Sequence, residues 1–210
     1  LPVSDSSHKD GDGMAFDSQP RYSPDGKWIA FPSDRDGADN LWIAKADGTE
    51  PRQLTREKQF GFVSPAWTPD SQYVVVNRFR NIWMYHVYGG SGLNVTGVLP
   101  WPAPPSTVGL GVAFSPDGRY LYFSQTDTGG DVYNQMNFPR EIARRDMKTG
   151  AVDQVTQAQF GAVRPAISRD GRWLVYGTRY ETQTGLRIRN LATGEDRWLK
   201  YPVTRDDQEA

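Results

Sequence analysis

Four similar tetrapeptides recur along the sequence at nearly regular intervals. They are Ser23-Pro24-Asp25-Gly26, Thr68-Pro69-Asp70-Ser71, Ser115-Pro116-Asp117-Gly118 and Ser168-Arg169-Asp170-Gly171, and their aspartates lie 45, 47 and 53 residues apart. In a tight turn, proline presets φ at the first central position, aspartate caps its own backbone, and glycine takes a positive φ without a steric clash. One such turn carries little information, but four at this spacing indicate a repeat protein.

Each tetrapeptide stands between short apolar segments that predict β-strands. In the first repeat the segments are 16–22, 27–31, 40–44 and 52–55, and the same order returns three times. Four strands joined by short turns form an antiparallel meander, and this period is typical of a β-propeller blade rather than a solenoid. The extra length of the third repeat falls in a glycine- and asparagine-bearing loop over 126–140.

We therefore predict an all-β chain, a β-propeller made of four four-stranded antiparallel blades. The blades are predicted at about 15–56, 60–97, 107–157 and 160–200, after a polar arm over 1–14 and before a tail or further segment over 201–210. The second strand of each blade is apolar on consecutive residues, which predicts burial on both faces between neighbouring blades. Its aromatic residues should dominate stability, because each buries roughly 150–250 Å².

Composition excludes several classes of function. The chain has 24 Lys and Arg against 25 Asp and Glu, so no charge surplus predicts binding to nucleic acid or to anionic lipid. There is no cysteine, which removes disulfides, thiolate metal sites and cysteine nucleophiles. No apolar run approaches the length of a membrane span.

Residues that could carry catalysis are sparse. Only two histidines occur, His8 in the polar arm and His86 at a predicted strand end, so no histidine-rich metal cluster can form. The carboxylates over 34–40 resemble a calcium loop, but the glycine comes too early and Lys45 stands where a bidentate glutamate is needed, so a turn with an Asp–Arg contact is favoured. We predict no catalytic residue, no metal ligand and no cofactor.

Binding residues are predicted at the mouth of the axial channel, which the first strand of each blade lines. The leading residues of these strands align as 17–19, 62–64, 109–111 and 162–164, and they place Asp17, Gln19, Ser64 and Arg164 near the channel mouth. Propellers often bind ligands or partners there. The alternative is that these are ordinary lining residues in contact with water.

The motifs of the first repeat resemble a known group of proteins. The segments 16–26, 31–37 and 40–43, with the closing Gln53-Leu54-Thr55, are similar to the TolB-type, WD40-like (PD40) propeller repeat, and all four repeats fit over about residues 15–200. The match is weaker at Ser71, where the turn glycine is missing, and at Arg169, where the proline is missing. The segments 15–22 and 203–209 resemble, more narrowly, the N-terminal propeller of exported bacterial amidohydrolase-like proteins.

The resemblance implies a module in a larger assembly. TolB-like propellers usually close with six or seven blades, so four blades imply either a small closed ring or part of a longer protein, and we expect the second. The implied function is a non-catalytic platform for protein interaction or substrate gating in an exported, periplasmic amidohydrolase-like protein. Its partner would be another protein or an attached catalytic domain, and open blade faces would also allow two chains to pair.

Two alternatives involve catalysis. In the first, the ring itself is a hydrolase or lyase with a small active site at the axial channel. In the second, the chain is the gating propeller of a prolyl-oligopeptidase-like serine peptidase, which predicts a downstream Gly-x-Ser-x-Gly motif. The leading hypothesis, an amidohydrolase-like parent protein, predicts downstream His-x-His instead.

Overall fold

The computed structural model describes residues 17–56, 62–78, 81–96, 111–126, 140–158, 161–180 and 183–200. The predicted arm, the predicted tail, His8 and most of the long loop of the third repeat lie outside the described residues. The chain divides into two compact units, Leu1–Val98 and Leu99–Ala210, and each unit contributes two blades.

The first unit contains two meanders that follow the predicted order. Blade 1 consists of β1 (Arg21–Tyr22), β2 (Trp28–Ser33), β3 (Asn40–Lys45) and β4 (Arg52–Gln53). Blade 2 consists of β5 (Phe62–Trp67), β6 (Tyr73–Arg78), β7 (Asn81–His86) and β8 (Leu93–Asn94). In each sheet every strand pairs antiparallel with the next strand along the chain.

The second unit repeats the arrangement. Blade 3 consists of β9 (Val112–Phe114), β10 (Tyr120–Thr126), β11 (Arg140–Asp146) and β12 (Val152–Gln154). Blade 4 consists of β13 (Val163–Ile167), β14 (Trp173–Tyr180), β15 (Gln183–Asn190) and β16 (Asp196–Lys200). The prediction of an all-β propeller with four four-stranded antiparallel blades is confirmed.

The turn tetrapeptides form the hairpin between the first two strands of each blade. In all four, the Ser or Thr hydroxyl lies 2.5–2.6 Å from the turn aspartate and also accepts a hydrogen bond from the backbone N–H five residues later. Ser71, which replaces the turn glycine, takes the same left-handed conformation at φ 60°. Its hydroxyl accepts a hydrogen bond from Asp25 N at 3.1 Å, so this departure from the motif links blade 1 to blade 2.

The second strands form the buried centre of the sheets. Three consecutive residues in each of β2, β6 and β10 are buried (29–31, 74–76 and 121–123), as the apolar runs predict. In β14, however, Leu174 and Tyr176 are buried while Val175 between them is partly exposed. The leading aromatic residue of each second strand is only half-buried, so the expectation that these positions dominate stability applies better to the residues that follow them.

Neighbouring blades within each unit share an apolar core. In the first unit, Leu41 and Ile43 of blade 1 belong to the same buried cluster as Val74 and Val76 of blade 2. The Trp67 indole also donates a hydrogen bond of 2.9 Å to the backbone carbonyl of Arg21. The corresponding cluster of the second unit contains Tyr122, Ile142, Ala162, Leu174 and Tyr176. Each pair of blades is therefore joined mainly by apolar contact between sheets.

In three blades, a buried threonine just after the fourth (outer) strand is hydrogen-bonded to the third strand. Thr55, Thr96 and Thr156 each accept a hydrogen bond at 2.9–3.0 Å from the backbone N–H of the third strand. Their hydroxyls also contact Asn40, Asn81 and Glu141, which stand fifteen residues earlier. This contact gives the closing Gln-Leu-Thr element of the repeat a structural role.

Candidate functional site

One position, in or just before the first (inner) strand, has a positive φ in every blade. The residue six places before the turn aspartate has a positive φ: 47° at Gln19, 56° at Ser64, 96° at Gly111 and 52° at Arg164. In blades 2 and 4 the strand register shifts across this position, as in a β-bulge. Positive φ is uncommon outside glycine and tends to be found where structure or function requires it. Three of the four predicted site residues therefore share one strained position of the repeat.

The first unit brings Gln19 and Ser64 together. The Gln19 side-chain carbonyl Oε1 accepts a hydrogen bond of 2.7 Å from the backbone N–H of Ser64. A side chain of blade 1 thus satisfies a backbone donor in the bulge of blade 2, as buried or half-buried N–H groups require. The sequence did not indicate this contact, because neither residue type is characteristic of a bulge.

Asp17 is held in a separate buried network. Arg35 donates from Nη2 to both carboxylate oxygens of Asp17, at 2.9 and 2.8 Å, and from Nε to the Ser33 hydroxyl at 2.9 Å. The guanidinium lies 5.1 Å from the ring centroid of Phe31 and 4.9 Å from that of Trp42. Arg35 is only 7% exposed, so the aspartate neutralises a buried cation. The turn over 34–40 does make an Asp–Arg contact, but with an aspartate far away in sequence.

Arg164 lies in the second unit, in the bulge of blade 4 and next to Gly111 of blade 3. A Cβ placed on Gly111 would lie 2.6 Å from Arg164 Cα, so the two backbones are in contact at these positions. The Arg164 side chain is exposed. Of the four predicted residues, the structure thus joins Gln19 to Ser64, ties Asp17 to Arg35, and leaves Arg164 on the surface of the other unit.

The second unit also contains a cleft that the sequence did not indicate. It has a volume of about 870 Å³ and lies between the segment 154–158 of blade 3 and the facing side of blade 4. The blade 4 wall carries Tyr176, Thr178, Arg187, Arg189, Asp196 and Trp198.

Asp196 is the centre of the hydrogen bonding in this cleft. It accepts hydrogen bonds from Arg187 Nε at 2.7 Å and from the Tyr176 hydroxyl at 2.6 Å, and Arg189 Nη1 lies 3.6 Å away. Burial, together with the hydrogen bond to the Asp196 carboxylate, raises the pKa of Tyr176. The Arg187 guanidinium lies 4.8 Å from the ring centroid of Trp198. Cross-strand pairing of β14, β15 and β16 brings these side chains together.

Among the described residues, no group of three or more His, Cys, Asp or Glu side chains could hold a metal ion. His86 packs its ring edge-on against Tyr73, and its Nδ1 accepts a hydrogen bond of 3.2 Å from the backbone of Tyr88. Among the described residues there is also no apolar helix long enough to cross a bilayer.

Comparison with known proteins places this geometry in a class. No family model matches the sequence. The chain is similar to the uncharacterized peptidase YuxL of Bacillus subtilis, with 29% identity over 165 residues, which cover 78% of this chain and 22% of that protein. The chain therefore spans only about a fifth of the length of this curated relative.

Two solved structures superpose on most of this chain. TolB from Acinetobacter baumannii superposes with a TM-score of 0.73 at 20% identity, over 91% of this chain and 45% of that one. Puromycin hydrolase superposes with a TM-score of 0.64 at 15% identity, over 92% of this chain and 30% of that one. The class is thus a β-propeller built from repeated four-stranded meanders. Within it, the chain has the TolB-like propeller fold, whereas its link to amidohydrolases stays a prediction.

Proposed function

We propose that this chain is the non-catalytic propeller module of a larger hydrolase, where it binds a protein partner or controls access of substrate. The proposal combines two facts. The curated relative is a peptidase of which the chain covers 22%, and the fold is shared with TolB and with about a third of puromycin hydrolase. In proteins with this arrangement, a separate domain can supply the catalytic residues.

The observation that carries the proposal is how the polar side chains of the inner strands are used. Both carboxylate oxygens of Asp17 are paired with the buried Arg35, and the Gln19 carboxamide accepts a hydrogen bond from the backbone N–H of Ser64. A general base or nucleophile needs a side chain that can exchange protons with a substrate. These groups instead hold the ends of the strands, and the exposed Arg164 is suited to contact a partner.

Activity assays of the purified 210-residue chain test this proposal directly. We expect no turnover of p-nitrophenyl esters, peptide p-nitroanilides or pectic oligosaccharides above a buffer control. Robust turnover that Arg164→Gln abolishes, and that Arg169→Gln in the exposed turn of the same blade preserves, would instead establish an enzyme with its site on the propeller.

The class of hydrolase is tested by the open reading frame that encodes the chain. The similarity to a peptidase over 78% of the chain favours a downstream serine peptidase domain with Gly-x-Ser-x-Gly. The narrower sequence resemblance favours a downstream amidohydrolase domain with His-x-His. A reading frame without either motif on either side of the propeller would contradict the proposal of a hydrolase module.

We propose that the parent protein is exported, as the resemblance to periplasmic propellers suggests. The absence of cysteine fits a compartment in either redox state. Cell fractionation of a tagged parent protein tests this step, because recovery in the cytoplasm alone would contradict it.

A further inference from the structure

The cleft of the second unit differs from the equivalent junction of the first unit. In blade 2 the residues opposite Val76 and Val74 are Trp83 and Tyr85, whose rings stack 6.3 Å apart against the core shared with blade 1. In blade 4 the residues opposite Tyr176 and Leu174 are Arg187 and Arg189. Where blade 2 packs two aromatic rings, blade 4 therefore presents two guanidinium groups to an open volume of about 870 Å³.

The charges on the cleft wall do not balance. Asp196 is the single carboxylate among the lining residues, and it faces both Arg187 and Arg189. Its Oδ1 is taken by Arg187 and its Oδ2 by the Tyr176 hydroxyl, so Arg189 is left with the longer contact of 3.6 Å. One positive charge is therefore in excess on a wall that water only partly reaches.

A second carboxylate lies behind the opposite wall but points its oxygens elsewhere. Glu141 accepts hydrogen bonds from the Thr156 hydroxyl and from the backbone N–H of Ala158. It holds the 154–158 segment in place and is not among the residues that line the cleft. The Arg189 side chain is 26% exposed, and its Nη2 lies beside Gly194 in the turn that precedes β16.

The rest of the cleft is suited to an organic ligand. Trp198 supports Arg187 from one side, which keeps its guanidinium in a fixed plane. Gln154 and Gln157 are exposed on the facing segment. The Gln154 amide nitrogen donates a hydrogen bond of 2.8 Å to the backbone carbonyl of Thr156, whereas its carbonyl oxygen and the Gln157 carboxamide can bond to a ligand. The volume of the cleft lies within the range of roughly 300–1,000 Å³ that is typical of small-molecule sites. It is far larger than a single carboxylate group requires.

We propose that this cleft binds a small organic ligand through a carboxylate group received by Arg189 and Arg187. A planar guanidinium matches a carboxylate through two parallel hydrogen bonds, and a monoanion balances the single excess charge. The same chemistry is offered by the C-terminus of a short peptide and by a sugar acid. This inference is independent of the proposed function, because it requires neither an attached catalytic domain nor a site at the inner strands.

Titration of the full chain by NMR tests the proposal with the indole N–H signals of its seven tryptophans. The Trp198 signal is assigned by its loss in Trp198→Phe. Two matched pairs of probes are used: acetyl-Ala-Ala-Ala with a free C-terminus against the same peptide amidated, and D-glucuronate against D-glucose. We expect saturable movement of the Trp198 signal with at least one carboxylate probe and binding about tenfold or more weaker for its neutral counterpart, as for a lost charge-assisted hydrogen bond. The pair that responds identifies the source of the carboxylate.

Two variants locate the interaction. Arg189→Gln should weaken binding of the responding probe by about tenfold or more, while Arg172→Gln, which removes an exposed arginine paired with Asp170, should leave it unchanged. The other six indole signals report whether each variant is folded. The proposal is overturned if no carboxylate probe moves the Trp198 signal, if neutral and charged probes bind alike, or if folded Arg189→Gln binds like the unaltered chain. Should Arg189→Gln fail to fold, the comparison of charged with neutral probes decides alone.

Discussion

Replacement of Gly111 by alanine should destabilise the second unit far more than a comparable change at a turn glycine. Gly111 has φ 96°, and an added Cβ would lie 2.6 Å from Arg164 Cα and 3.3 Å from Pro165 Cδ. Backbone atoms of a neighbouring blade cannot move aside as the end of a flexible side chain can. The substitution therefore combines backbone strain with overpacking.

The expected loss in the free energy of unfolding is the sum of these two contributions. A left-handed conformation costs an L-residue roughly 1–2 kcal/mol, and overpacking of a tight contact adds typically about 1–3 kcal/mol. Gly171→Ala provides a matched control in the same unit, because φ is 72° there and the added Cβ would meet Pro116 only at 3.4 Å or more. We expect a loss in the free energy of unfolding of about 2–5 kcal/mol for Gly111→Ala against about 1–2 kcal/mol for Gly171→Ala.

Urea unfolding followed by tryptophan fluorescence measures the difference. With a denaturant dependence of about 2–3 kcal/mol/M, the midpoint of Gly111→Ala should lie about 0.3–1.5 M below that of Gly171→Ala. Both glycines belong to the second unit, so a separate transition of that unit would report on both. Equal midpoints would refute the inference that the backbones of blades 3 and 4 are in contact at Gly111 and Arg164.

Two further predictions concern hydrogen bonds of the repeat. Thr156→Val should lower the free energy of unfolding in urea by about 1–3 kcal/mol, because it leaves the buried backbone N–H of Ile142 without its acceptor. Thr156→Ser keeps the hydroxyl and should retain most of the stability. Equal losses in the two variants would refute the role of the hydroxyl. The Ser168 hydroxyl and the Arg172 backbone N–H lower the pKa of Asp170 from 3.8 to about 2, so its ionised form stabilises the fold above pH 3.8 and this contribution is lost as the pH falls towards 2. Asp170→Asn should therefore flatten the dependence of Tm on pH between about 4 and 2, and an unchanged slope would contradict the assignment.

The repeated turns were predictable from sequence because their chemistry is local. Proline, aspartate and glycine act on backbone within a few residues, so the four tetrapeptides identified the hairpins and, through their spacing, the meanders. The strand positions followed from apolar runs, although the structure extends most second and third strands beyond them. The hydrogen bonds of the three buried threonines could also have been predicted, because a polar residue stands fifteen places before Thr55, Thr96 and Thr156.

The candidate sites were harder to predict because they depend on contacts between strands. The sequence points to Gln19, Ser64 and Arg164 as binding residues only through their polarity, and nothing in their residue types indicates a left-handed backbone. Gly111 was the one residue of that position whose type carried such a signal. The cleft was missed altogether, because Arg187 and Asp196 come together only through the pairing of β15 with β16.

A crystal structure of the chain tests the central claim most directly, namely that one meander is repeated four times with a positive-φ residue at a fixed place in or just before each inner strand. The account predicts hairpins at the four turn aspartates and a positive φ at Gln19, Ser64, Gly111 and Arg164, near the present values of 47–96°. Ordinary extended backbone at these four residues, or helices between the turn aspartates, would contradict it.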